Sequence, residues 1–253
     1  MTIDLLNRQA RLLDHLTSGA VIFGDESEAP LDQMLARINP GLLRLEAGLS
    51  HEKRISKIAA ILPRTFQLLR GDWSAIAREF ADACPPTNIG FIENARQFHR
   101  FLCSGRGCEP KMPPYLHEVA ACELALAEVR AFAGDRESRA EKNVNGASDS
   151  VRRRSGVTLL CCAYDIQPIF AAGGANASPS KRVTRLAVAI IPGAEHPTVF
   201  ELAPAAFDLL ATIRDWSDRA APGTPSERED LIRELTECGL VEVGSGTTQD
   251  SEH

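Results

Sequence analysis

The chain has 253 residues, of which 44% are hydrophobic and 25% charged, and its formal net charge is −6 at pH 7. This is the composition of a globular protein with room for about two domains, and the acidic balance argues against duplex nucleic acid as a partner, because the contact face of such a binder is basic. No apolar run reaches the ~20 residues that span a bilayer, the polar start Met1-Thr-Ile-Asp-Leu-Leu-Asn-Arg8 has no signal-peptide core, and the cytoplasm is the expected address.

Residues 3–16 carry apolar side chains at helical spacing, and 19–30 reads as a loop. Leu31, Leu35 and Ile38 predict a short helix closed by Asn39-Pro40-Gly41. Ser50 then caps a helix with Ile55, Ile58, Ala59 and Leu62 on one face. Pro63 lacks an N–H and breaks that ladder, and a short helical turn follows through Phe66 and Leu69. Gly71-Asp72 closes it and opens a helix lined by Trp73, Ile76, Ala77 and Phe80, which Cys84-Pro85-Pro86 ends. Asn88 caps another, with Phe91, Ala95, Phe98 and Leu102 inward. Pro113-Pro114 starts the last, with Leu116, Ala120, Leu124 and Ala127 in register. Residues 1–133 therefore read as a helical domain whose apolar stripes need one another for burial.

Residues 134–156 are charged, small and poor in apolar side chains, and read as a linker. The pattern then turns to strands. Val157-Thr-Leu-Leu-Cys-Cys-Ala-Tyr164 is one, 183–191 a second, and Thr198-Val-Phe-Glu-Leu202 a third. Pro204 starts a helix running to about Trp216, and Ser226 caps a final one that Gly239 closes. Leu240-Val-Glu-Val243 is a last short strand, and 245–253 reads as a disordered tail. The fold class is α+β, with an all-helical bundle first and a small antiparallel sheet with its helices in residues 157–244.

The chain offers little chemistry of its own. No nucleophile elbow or triad-like pattern is present, and Asp165, Asp208 and Asp215 do not pair for acid–base work. The seven cysteines include no Cys-x-x-Cys, and in a reducing compartment most should be buried free thiols. His99, Cys103, Cys108 and His117 are the nearest approach to zinc spacing, but two prolines intervene before His117. Glu123 falls on an apolar helix face, so it is expected to be partly buried, with a cation such as Arg64 or Arg78 supplied to it or with a role in partner docking. Trp73 reads first as a core anchor. Arg152-Arg-Arg154 with Lys181, Arg182 and Arg185 forms a basic cluster that either lies solvated or attracts an acidic peptide or a phosphate.

Two resemblances give these features a context. Leu62-Pro63, Leu68-Leu69, Trp73, Ala77, Phe80, Pro85-Pro86, the Phe98…Phe101-Leu102 box and Pro114-Tyr-Leu-His-Glu-Val-Ala-Ala-Cys-Glu123 resemble a bacterial family labelled as a DNA-binding domain. Its members accompany TIM-barrel multinuclear iron-dependent oxidases. Ser50-His51-Glu52-Lys53 departs from the Tyr- and Asn-containing turn expected there. In the second half, Val199-Phe-Glu-Leu202, the helix from Ala205 and the helix from Ser226 to Gly239-Leu240 are similar to the winged-helix-like recognition element of ribosomal peptide biosynthesis.

Together the halves resemble the accessory subunits of methanobactin and thiaglutamate (pearlin-type) biosynthesis. This implies a non-catalytic subunit that forms a heterodimer with an iron oxidase, holds no cofactor itself and presents a precursor-peptide cysteine to the partner's iron. Thr198, Val199, Phe200, Glu201 and Leu202 would take the peptide as an added strand, with Leu231, Ile232 and Leu235 as groove wall or else as core. Trp73, Tyr115 and Glu123 are the candidate partner contacts. Proline at Phe200 is the substitution expected to remove peptide binding. The alternative is a DNA-binding transcriptional regulator, against which stands the acidic balance of the last helix.

Overall fold

The sequence Asn39-Pro40-Gly41 starts a helix. Asn39 Oδ1 accepts a hydrogen bond from the Gly41 N–H at 2.8 Å, and Pro40 takes the first helical position, where no N–H is needed. The helix then runs unbroken through Ser50, whose hydroxyl donates to Glu46 Oε1 one turn back and caps nothing. The computed structural model describes residues 2–24, 39–69, 73–105, 112–138, 150–171, 174, 177–218 and 225–244. The expected helix at 31–38, the Gly71-Asp72 junction, Cys108 and the tail at 245–253 lie outside them.

The architecture is α+β, and the chain divides into two compact units: Met1–Leu124 with Ile169–Ala177, and Ala125–Pro168 with Ser178–His253. In the first unit lie α1 (Thr2–Thr17), α2 (Gly19–Phe23), α3 (Pro40–Ile61), α4 (Pro63–Leu68), α5 (Trp73–Ala83) and α6 (Phe91–Cys103). Helix α7 (Leu116–Ser138) begins there and continues into the second unit. Helix α2 occupies part of the expected loop, and α6 starts only at Phe91 because Asn88 turns back on the Gly90 N–H. Phe91, expected inward, is 51% exposed.

The core of this unit is aromatic. Phe98 is fully buried, and its ring lies 5.0 Å from Phe80 edge to face, 5.6 Å from Phe66, 6.0 Å from Phe101 and 6.3 Å from Trp73. Ile58, Leu62, Leu116 and Ala120 close around these rings.

The second unit holds two small antiparallel sheets. One has the order β5-β1-β6, from β5 (Ser217–Asp218), β1 (Ser150–Arg153) and β6 (Val241–Val243). The other has the order β2-β3-β4, from β2 (Thr158–Cys162), β3 (Thr184–Ala189) and β4 (Thr198–Glu201). Residues 134–156 thus carry regular structure at both ends: α7 extends through Ser138, and β1 pairs with β6 from Val151↔Val243 to Arg153↔Val241. A four-residue helix, α8 (Gln167–Phe170), follows β2.

Helices α9 (Pro204–Thr212) and α10 (Pro225–Glu237) pack Leu209, Leu210, Ile213, Ile232 and Leu235 with Ala187 and Ala189 of β3. Gly239, at φ 71°, ends α10 through the Leu240 N–H to Leu235 carbonyl bond of 2.8 Å. A Cβ there would meet Pro192 Cδ at 2.6 Å, so only glycine fits.

Candidate functional site

The β2-β3-β4 sheet alternates its side chains between two covered faces. Phe200 and Leu159 join the α9 and α10 core, while Val199, Val188 and Leu160 pack with Ala125 and Val129 of α7. With both faces covered, the strand edges are what the sheet leaves free. β4 pairs with β3 in the register Leu186↔Glu201 to Ala189↔Thr198, and among the described residues no strand lies on its other side.

Hydrogen-bonding direction alternates along such a pair. The Leu202 N–H donates to the Arg185 carbonyl at 2.8 Å, which fixes the phase. Thr198 and Phe200 therefore turn their backbone groups to β3, and Val199 and Glu201 turn theirs outward. Proline at Phe200 would break the protein's own ladder; proline at Val199 removes only an outward donor.

The candidate residues separate by environment. Thr198 and Glu201 are exposed, whereas Val199, Phe200, Leu202 and Leu231 are half-buried. Ile232 and Leu235, at 0% and 4% exposure, are core and have no side-chain surface for a groove wall.

The carboxylate of Glu201 takes Arg182 Nη1 at 2.5 Å, and Asp165 Oδ2 takes Arg182 Nη2 at 2.7 Å. These two acceptors, Glu201 first, push the Arg182 pKa up. Part of the basic cluster is therefore paired with carboxylates. Arg152 pairs with Glu242 at 2.6 Å and stacks over Trp216 at 4.5 Å, and Arg154 lies 3.8 Å from Glu242. The Arg153 N–H donates to the Ile213 carbonyl.

One of the three candidate contacts in the helical unit is buried and two are half-buried. Trp73 is half-buried, its ring 4.6 Å from Phe66. Tyr115 is half-buried just before α7. Glu123 is 4% exposed and takes the Arg64 N–H at 2.7 Å, the Thr65 N–H at 2.9 Å and the Thr65 hydroxyl at 2.8 Å. Pro63 begins α4 and leaves these N–H groups without helical partners, and the Glu123 carboxylate on α7 caps them. Burial raises its pKa, and the bonds from Arg64 and Thr65 partly offset that. Neither arginine side chain proposed to meet it is a hydrogen-bond donor here; Arg64 contributes its backbone N–H.

The exposed apolar surface of this unit lies elsewhere. Leu42, Leu45 and Leu49 on α3 are 61%, 58% and 42% exposed, opposite the buried Leu43, Ala47 and Ile58. Leu6 and Leu13 on α1 are exposed as well. The signal was present in the sequence, since 42, 45 and 49 repeat at i, i+3 and i+7.

Of the described cysteines, Cys122 and Cys162 are buried, Cys84 is half-buried, and Cys103, Cys161 and Cys238 are exposed, so most are not interior. Cys161 and Cys162 do point to opposite faces. His99 Nε2 lies 3.4 Å from Cys103 Sγ, and among the described residues no three His, Cys, Asp or Glu side chains gather to hold a metal ion. No described helix is long and apolar enough to cross a membrane. Compared with known families and curated proteins, the chain matches no family model and no curated relative.

Proposed function

We propose that this chain is a non-catalytic subunit that binds an extended precursor peptide by strand addition along β4 and presents a cysteine of that peptide to a partner iron-dependent oxidase. The carrying observation is the outer edge of β4, which no strand among the described residues pairs, with outward backbone groups at Val199 and Glu201 on a sheet whose two faces are already covered. An extended guest backbone complements such an edge. The half-buried Val199 and the exposed Thr198 and Glu201 meet its side chains. A winged-helix-like arrangement of β2-β3-β4 with α9 and α10 is part of this reading.

Metal chemistry belongs to the partner, and this chain contributes proximity, raising the effective concentration of the reactive cysteine. Leu6 of α1 and Leu42, Leu45 and Leu49 of α3 supply the apolar contact to the oxidase, beside the half-buried Trp73 and Tyr115 and in place of the buried Glu123. The paired state of Arg152 and Arg182 weighs against the DNA-regulator reading.

The test is co-expression of the full chain with a TIM-barrel iron-dependent oxidase and a candidate precursor peptide, followed by gel filtration and peptide titration. Val199→Pro should weaken peptide affinity at least about tenfold, the scale of one or two lost backbone bonds, while heterodimer formation persists. Unchanged affinity counts against strand addition. A chain that elutes apart from the oxidase and shifts duplex DNA at physiological salt overturns the whole reading.

A further inference from the structure

The helical unit contains a cleft of about 280 Å³ that plays no part in strand addition. Leu13 and Leu16 of α1 and Ile22 of α2 give it an apolar side. His51, Lys53, Arg54 and Lys57, on successive turns of α3, give it a basic one. Among the described residues no carboxylate lines it, although the chain as a whole carries a net charge of −6.

One group in this wall carries a charge without a facing carboxylate, and another has an unused polar atom. Arg54 is 7% exposed, and its guanidinium donates to Asn94 Oδ1 at 3.0 Å, the Cys84 carbonyl at 2.7 Å and Gln97 Oε1 at 2.8 Å. All three acceptors are neutral, so the buried cation has hydrogen bonds but no counter-charge. That arrangement is costly, and burial pulls its pKa down to about 10. His51 is 9% exposed, and its Nε2 is buried with no hydrogen-bond partner. Burial and then the nearby Arg54 charge lower the pKa of His51 to about 4, so the imidazole is neutral at pH 7 and, as the Nε2–H tautomer, offers one unused donor. Lys53 and Lys57 stand one turn apart, with Lys57 Nζ held 3.0 Å from the Ile89 carbonyl.

An anion supplies what this wall lacks, and the leucine side requires that the anion carry an apolar body. We propose that the cleft binds a small apolar monocarboxylate, its tail against Leu13, Leu16 and Ile22 and its carboxylate beside His51, Lys53 and Lys57. The volume is at the lower end of small-molecule sites, so a medium-chain acid of about eight carbons is the fitting probe.

Octanoate, octanol and octylammonium, titrated calorimetrically into the full chain at low salt, separate charge from apolar fit. Octanoate should bind about fivefold more tightly than octanol, the scale of an exposed charge contact, and added salt should narrow the gap. Octylammonium should bind more weakly than octanol. The double variant Lys53→Gln/Lys57→Gln should erase the preference for octanoate while leaving octanol affinity in place. Leu16→Trp, which fills the cleft, should abolish binding of both. Should that variant misfold, nitrogen-15 NMR of His51 in the wild-type chain decides, since octanoate must move its Nε2 resonance. Equal affinity for octanoate and octanol, binding of neither, a preference that survives loss of both lysines, or an unmoved His51 resonance at saturation each overturns the proposal.

Discussion

In the helical unit several ionisable side chains are buried, and two of them, Arg54 and Glu123 at 7% and 4% exposure, are held by neutral groups and backbone N–H donors. In the strand-bearing unit the charges sit near strand ends and pair with one another, as Arg182 does with Glu201 and Asp165, and Arg152 with Glu242. The first arrangement ties specific helices together, because a buried charge that loses its donors or acceptors has nowhere else to turn. The second is partly screened by solvent and contributes less per pair. The helical unit should therefore be brittle to single substitutions and the strand ends tolerant, which is the property an edge needs if a guest strand is to come and go.

The sharpest test of brittleness is Phe98→Ala. Phe98 meets four other aromatic rings at full burial, so its truncation should cost about 3–5 kcal/mol, read as a lower denaturant midpoint of the full chain. A loss below about 1 kcal/mol would mean that the aromatic cluster repacks freely.

Acid should expose the next effect. The folded pKa of His51, about 4, lies below its ordinary 6.5. The unfolded chain therefore binds the extra proton between these values, and His51 destabilises the fold progressively as pH falls from 6.5 to 4, by at most about 3 kcal/mol at 1.36 kcal/mol per pH unit. His51→Phe should flatten that slope in urea titrations run at several pH values. An unchanged slope would assign the acid sensitivity to other groups.

Glu123 carries the opposite sign. Its folded pKa is raised above its ordinary 4.5, so the folded chain holds the proton longer and stability falls as pH rises from there through the folded pKa. Glu123→Ala leaves the Arg64 and Thr65 donors unpaired and should cost about 1–3 kcal/mol at pH 7, with the rising-pH loss removed. A neutral result would show that water caps α4 as well as the carboxylate does.

The features legible in the sequence were those fixed by neighbours along the chain. Pro63, the inward Phe98 and Leu102, and the Gly239 stop depend on backbone chemistry within a turn or two. Strand β1 was not legible: Ser150-Val-Arg-Arg153 is too polar to read as a strand and becomes one only because Val241–Val243, far along the chain, pairs with it. Asn39-Pro40 is ambiguous by its nature, since the same dipeptide both closes and opens helices. Glu123 reads as buried from its place on an apolar helix face, but its donors follow only from the passage of α7 by the start of α4. The edge at Val199–Leu202 was readable as a strand; that its outward groups belong to Val199 and Glu201 needed the phase of one hydrogen bond.

The smallest effect is expected at Arg182, and it bears most directly on the contrast between the units. Its guanidinium is 49% exposed and bridges Glu201 on β4 to Asp165 after β2. Solvent screens the half-exposed guanidinium and Glu201 and, less fully, the 20%-exposed Asp165, so Arg182→Gln should lower the thermal midpoint only slightly, and by less at high salt. The same variant frees Glu201 at the outer edge of β4 and so alters what a guest strand meets there without disturbing the β3–β4 ladder, whose bonds are all backbone. If Arg182→Gln instead destabilised the chain as much as Glu123→Ala, the bridge would be holding β4 in place, and the edge would have to be read as a fixed structural element rather than as a surface open to a partner.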